Sequence, residues 1–316
     1  MAHLIKIEDY TSRYQHDLQR YLGQFSRLKK EQWENMKREW TKANQTMSSE
    51  ETYEESLDDW LEGTDSGFFT ATLHRLKNLS GKSRKNEEDV EEKEQGHTYK
   101  DKSIEEVKEL FYEDLFQAQL RWASASLLDE SMLDPAYRYD PILRYFVRHL
   151  PDNYMIFYYP VFTVGKAPLE MDIILLSPTS IYCLSIINGD ANSVFEPSSG
   201  RYWNEYVHKE IKRRINPVMS LNRMSSVLRS LLEDTSLQMN LRRIVMSPDS
   251  IIDNRLVSTK VETVDKRNID EWFEKRKRNP SPIKKNQLYA ADILLQYALT
   301  NSFRRRDLVD DNDAEE

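Results

Sequence analysis

Cysteine is nearly missing from this sequence. Cys183 stands alone among 316 residues, which excludes internal disulfides and thiolate metal clusters and fits a reducing compartment. Because it lies inside an apolar run, it reads as an inert core thiol. The six histidines, at 3, 16, 74, 97, 149 and 208, are scattered with no metal-ligand spacing. No Gly-rich phosphate loop and no nucleophile elbow occurs, so zinc, nucleotide-cofactor and Ser-hydrolase chemistry find no support. No apolar run reaches the roughly 18 residues of a membrane span. The opening MAHLIKIEDY lacks a basic region followed by an apolar one, and the default expectation is a soluble, cytoplasmic protein with no membrane span.

What is present is apolar content of 39%, enough for a real core, and charge that is unevenly spread. The net charge of −8 divides into −4 over residues 1–104, +2 over 105–306 and −6 over the last ten. Within the middle block, residues 151–306 carry +6. Acidity sits in the appendages, and the candidate core is mildly basic.

From Ile7 to Trp40 the large apolar residues recur at steps of three and four, which predicts one amphipathic helix, or two broken near Gly23. Its stripe is rich in aromatics: Tyr10, Tyr14, Tyr21, Phe25, Trp33 and Trp40. Acidic residues on the polar face, Glu31 and Glu34 among them, argue for a helix docked on the chain's own core over a membrane helix. Residues 7–40 are also the candidate surface for a protein partner or self-association.

Residues 80–103 are almost entirely charged and predict a flexible linker, while 68–79 has the spacing of a short helix. Ser103 and Glu106 form a capping-box pattern ahead of a helix of about 25 residues. A further helix is expected after Pro141. Three β-branched and aromatic runs, 154–164, 169–176 and 180–187, then read as a strand meander, with RYW at 201–203 a short candidate strand. Asn216-Pro217 is a strong helix start for Val218–Glu233, and the strand at 243–247 should return parallel to the meander. An edge strand over 257–264 and helices over 268–277 and 284–300 complete the list. The implied division is a helical region 1–79, a linker 80–103, an α/β domain 104–306 and an acidic disordered tail 307–316.

Glu170 and Asp172 open a run apolar enough to be a buried strand. With the turn Ser177-Pro178-Thr179-Ser180 into Ile181-Tyr182-Cys183-Leu184, the Gly200-x-x-Trp203 segment and Asn216-Pro217, this stretch resembles the nuclease-related domain (NERD) family of the PD-(D/E)XK superfamily, from about Tyr139 to Thr300. The resemblance implies a restriction-endonuclease-like α/β fold, a mixed sheet flanked by helices, preceded here by a helical N-terminal extension. In such nucleases an aspartate on the second strand and the glutamate of a Glu-x-Lys on the third hold Mg²⁺, and the lysine helps activate water. Asp172 matches the first position. Where the family reads Ile-Glu-Val-Lys-Asn, this chain reads Leu184-Ser185-Ile186-Ile187-Asn188, with Ser185 in place of the glutamate and Ile187 in place of the lysine.

A serine hydroxyl is a poor Mg²⁺ ligand, and isoleucine neither carries charge nor moves protons. The resemblance therefore implies a degenerate site: Glu170 and Asp172 remain the metal candidates, Glu170 sharing the face of Asp172 if the strand is regular, and the helix acid of some members falls near Asp140. Asp190 or Glu196 would be loop acids able to rebuild a site. Mg²⁺ is the cofactor only if activity survives. The other functional signal is basic: Lys209, Lys212, Arg213, Arg214, Arg242 and Arg243 could track a phosphate backbone without sequence preference, with Tyr202, Trp203 and Tyr206 nearby to stack bases. Further clusters lie at Lys275 to Arg278, Lys284 and Lys285, and Arg304 to Arg306. The expected function is a catalytically degenerate nucleic-acid-binding or scaffolding module; the alternatives are an active nuclease with a rearranged carboxylate site and a protein-binding adaptor.

Overall fold

A computed structural model describes residues 1–44, 99, 101–165, 167–190, 192–208, 210–233, 237, 239–254, 261–278 and 281–304. The helix expected over 68–79, most of the expected linker, the acidic tail and Lys209 lie outside the described residues. The chain divides into two units, Met1–Gly23 with Phe116–Glu316, and Gln24–Leu115.

The first unit is built on a six-stranded sheet of order β1 (His3–Ile7), β3 (Met155–Tyr158), β6 (Ile173–Leu176), β7 (Ser180–Ile186), β11 (Asn240–Ser247) and β13 (Glu262–Asp265), while β2 (Asp129–Glu130) pairs with β14 (Phe303–Arg304) in a separate ribbon. Its centre is the pair β6 (Ile173–Leu176) and β7 (Ser180–Ile186), which run antiparallel through a Ser177-based turn. The Ser177 hydroxyl accepts the Ser180 amide at 3.0 Å and closes that turn. All four β6 residues are buried, as a strand covered on both faces requires. β3 (Met155–Tyr158) pairs antiparallel with β6. On the other side β11 (Asn240–Ser247) pairs parallel with β7, and β13 (Glu262–Asp265) adds a parallel edge. The helix-crossover strand thus returns parallel, as its connection demands.

The outermost strand on the β3 side, β1 (His3–Ile7), is parallel to β3 and comes from residues with no helical role. The first long helix therefore begins later than its periodicity suggests: α1 spans Leu18–Asn44 and runs unbroken through Gly23. Tyr14, Tyr21, Phe25 and Trp33 are buried, so most of the aromatic stripe is covered within the chain. α2 (Ile104–Ser124) starts at the expected box, with the Ser103 amide donating to Glu106 Oε2 at 2.7 Å and the Glu106 amide donating to the Ser103 hydroxyl at 3.2 Å. In the second unit Trp33 of α1 meets Phe111 of α2 with ring centroids 5.1 Å apart, and Trp40 Nε1 donates to the Lys102 carbonyl at 2.7 Å.

Helices cover both faces of the sheet. α3 (Pro141–His149) and α5 (Ile269–Lys277) share one face, where Phe146 meets Phe273 and Arg276 lies over Tyr182. α4 (Pro217–Glu233) lies on β7 and β11 from the opposite face, in contact with α6 (Lys285–Tyr297). The Asn216 side chain accepts the Val218 amide at 3.0 Å and starts α4 as its sequence requires. This architecture is consistent with a restriction-endonuclease-like fold.

Two long strands of the expected meander are interrupted. The 154–164 run breaks at Tyr159-Pro160, where Tyr159 takes φ +48, and continues as β4 (Val161–Val164). The 169–176 run breaks at Met171-Asp172, so that β5 (Ala167–Glu170) pairs only with β4, in a separate two-stranded ribbon. A small sheet of order β10-β9-β8-β12 joins β8 (Val194–Glu196), β9 (Tyr202–Val207), β10 (Glu210–Ile215) and β12 (Ile251–Ile252). Among the described residues no helix is long and apolar enough to cross a membrane.

Candidate functional site

Ile173 pairs with Leu184 at one end of the β6 and β7 ladder. Asp172 directly precedes this pair and Ser185 directly follows it, Ser185 lying on the face that carries Cys183. Ser185, 7% exposed, pairs with Val245 of β11. The β7 residue at the same end of the ladder as Asp172 thus carries a hydroxyl.

Asp172 is half-buried, and its Oδ2 atom is buried with no hydrogen-bond partner. Its negative charge acts on two neighbours. Burial, then the charges of Asp172 and Asp140, push the Tyr159 phenol up to about 12. Burial likewise pushes the Cys183 thiol up to about 12, with Arg243 and Arg229 opposing and Asp172 adding. Cys183 is thus a protonated core thiol, as its apolar run suggests.

Asp140 has a structural use for both oxygens. As N-cap of α3 it accepts the Ile142 and Leu143 amides on Oδ1 at 2.9 and 3.0 Å, and Oδ2 accepts the Tyr158 hydroxyl at 2.7 Å. Glu170 departs from the expected regular strand. Because β5 ends with it and the Met171 amide turns to the Pro160 carbonyl at 3.0 Å, the period-two alternation does not carry from Glu170 to Asp172, and Glu170 is exposed. The loop acids are engaged elsewhere: Asp190 pairs with Lys212 at 2.9 Å, and Glu196 accepts from Tyr206 at 2.7 Å and Asn204 at 3.2 Å.

A Mg²⁺ site of this fold wants two or more carboxylate oxygens converging with water and phosphate. Here Asp172 offers one uncommitted oxygen, Ser185 a neutral hydroxyl and Ile187 none. Among the described residues no group of three or more His, Cys, Asp and Glu side chains could hold an ion. The donor set around Asp172 does not fit the metal.

The basic residues are spread over several surfaces. Lys212 and Arg214 lie on the inward face of the β9 and β10 hairpin with Trp203 and Glu205, whereas Arg213 shares the outward face with Tyr202, Tyr206, Ile211 and Ile215. Arg214 Nε donates to Glu205 Oε2 at 2.5 Å, and Glu205 is fully buried. Burial works to raise that carboxyl, but Arg214 and the Asp190 amide outweigh it and hold it below its ordinary range. Trp203 is 1% exposed, so its indole is packed inside and unavailable for stacking bases; the alternation of β9 leaves that role to Tyr202 and Tyr206. Neighbours on β11, Arg242 and Arg243 point to opposite faces, Arg243 donating to Asn222 of α4 and Arg242 lying beside Tyr182.

One residue escaped the sequence reading. Arg276 belongs to the Lys275 to Arg278 cluster, grouped with the basic surfaces for a phosphate backbone, yet it is 8% exposed. The signal was its place four residues after Trp272, on the inner stripe of α5.

Among known proteins, the family model described as the nuclease-related domain matches residues 140–248. No curated protein and no solved structure matches the chain. The matched span opens at the cap of α3, takes in Asp172 and Ser185 and closes just past β11. Fold, strand order and family match coincide on one segment: residues 140–248 are similar to the nuclease-related domain.

Proposed function

We propose that this protein is a catalytically degenerate nuclease-related domain protein that holds nucleic acid without cutting it. The observation that carries the reading is the serine at the same end of the ladder as Asp172, where hydrolysis of a phosphodiester needs a second carboxylate, together with Ile187 at the place of the activating cation. Phosphate contact is supported by the +6 charge of residues 151–306. Exposed Arg213, flanked on its face by Tyr202 and Tyr206, supplies a cation and two rings. Such contacts are sequence-independent and salt-sensitive.

The test is fluorescence anisotropy of the purified chain with labelled single- and double-stranded DNA and RNA, in parallel with a cleavage assay in Mg²⁺ or Mn²⁺. Binding that weakens with salt and weakens further in Arg213→Gln is expected, with no cleavage. Metal-dependent cleavage abolished by Asp172→Ala would overturn the degenerate reading. Absence of binding to every nucleic acid would remove the binding role.

A further inference from the structure

At the end of β7 away from Ser185, and on the opposite face of the sheet, an open cavity of about 460 Å³ lies between the strand starts and α5. This volume is within the range of small-ligand sites. Three cations line it: Arg242 from β11, and Lys275 and Arg276 from α5. Glu262 and Glu271 also line it, leaving one positive charge in excess.

Arg276 is the telling member. Its guanidinium is held between the Trp272 ring, 3.2 Å away, and the Tyr182 ring at 5.1 Å, and Nη1 donates to the Trp272 carbonyl at 2.8 Å. Its Nε is buried with no acceptor. The nearest carboxylate oxygen, Glu262 Oε1, stands 3.7 Å from Nη2, beyond hydrogen-bond reach, and already accepts Trp272 Nε1 at 3.0 Å. A buried cation so weakly compensated carries an electrostatic cost that an incoming anion removes.

We propose that this cavity binds the phosphoryl group of a small phosphate ester, with Arg242, Lys275 and Arg276 as its cationic donors. The hydroxyl-bearing Thr179 and Ser180 also line the cavity. Donors arriving from three separate elements outnumber the two oxygens of a carboxylate and suit the three of a phosphate ester. The site is separate from Asp172 and from the hairpin face, and it does not depend on the nucleic-acid reading.

Isothermal titration of the full chain with AMP, competed by inorganic phosphate or acetate, tests it. One-to-one AMP binding is expected, displaced by phosphate and not by acetate, and weakened about tenfold or more in Arg242→Gln and Lys275→Gln, the loss of one charge-assisted hydrogen bond. Arg242 is exposed, so the variant keeps the fold, which a melting curve checks. No saturation by about 10 mM AMP, weaker than any useful site, overturns the proposal. Displacement by acetate as good as by phosphate overturns it also, as does unchanged affinity in both cavity variants.

Discussion

The two ends of β7 present opposite faults. Near Ser185 the half-buried Asp172 is an acceptor without a donor, its Oδ2 buried and unpartnered. Near Tyr182 the buried Arg276 keeps one unmet donor, its Nε buried and unpartnered. The first stands beside a serine and an isoleucine, and on the proposed reading it is the remnant of a site that has lost its partner groups. The second sits beside an open cavity with further cations, and an unmet donor there marks a place for a ligand. A buried, unsatisfied polar atom is thus not one kind of evidence: what surrounds it decides whether it is residue or readiness.

Restoring a carboxylate at the first end is the strongest way to break the comparison. Ser185→Glu should place two carboxylates together, costing several kcal/mol in the metal-free protein, and Mg²⁺ or Mn²⁺ should recover much of that in thermal melts. A variant indifferent to metal would mean that Asp172 and Ser185 do not converge. At the second end, Glu262→Gln removes the nearest counter-charge of Arg276 and should destabilise by about 1–3 kcal/mol in urea unfolding. Arg276→Met should cost less than Glu262→Gln, since the weakly compensated buried charge leaves with the side chain.

Lys6 supplies a control, because it is a buried cation with its acceptors in place: the Tyr10 carbonyl, Gln15 Oε1 at 3.5 Å and Thr300 Oγ1 at 3.3 Å. Burial lowers its ammonium to about 7, with Asp9 opposing. The unfolded chain, with an ordinary lysine near 10.5, then holds more protons than the folded one between about pH 7 and 10.5. Stability from this group should rise with pH across that window, and Lys6→Met should flatten the rise in melts from pH 6 to 10. The smallest expected effect is that of Asp172→Asn, within about 1 kcal/mol of the parent and in the stabilising direction. Marked destabilisation there would show that Asp172 has a structural partner.

Much of the fold was legible where local chemistry is strong. The Ser103 and Glu106 box, the Asn216-Pro217 start and the parallel return of β11 all rest on caps and crossover rules that need no distant partner. β1 was not legible, since five residues with a lysine among them become a strand only because β3 lies alongside. β10 was hidden for a different reason. Its alternation is inverted, with Lys212 and Arg214 turned inward to Asp190 and Glu205 while Ile211 and Ile215 face outward. Asp140 could have been read correctly, as an aspartate before a proline is a helix cap. In the site, the motif alone put Ser185 and Asp172 on neighbouring strands. It could not foretell the break at Met171 that moves Glu170 onto another ribbon, because that depends on how Tyr159 and Pro160 bend the neighbouring chain.

The parallel pairing of β1 with β3 also sets an order of events. His3 meets Met155 and Ile7 meets Tyr158, so β1 has no partner strand to join until about 150 more residues have followed it. Such long-range closure slows folding and leaves an apolar edge waiting. The early strand must therefore be sheltered during synthesis, and a slow final docking step, seen as a late phase in refolding followed by hydrogen exchange at residues 3–7, is the kinetic signature that this topology writes into the chain.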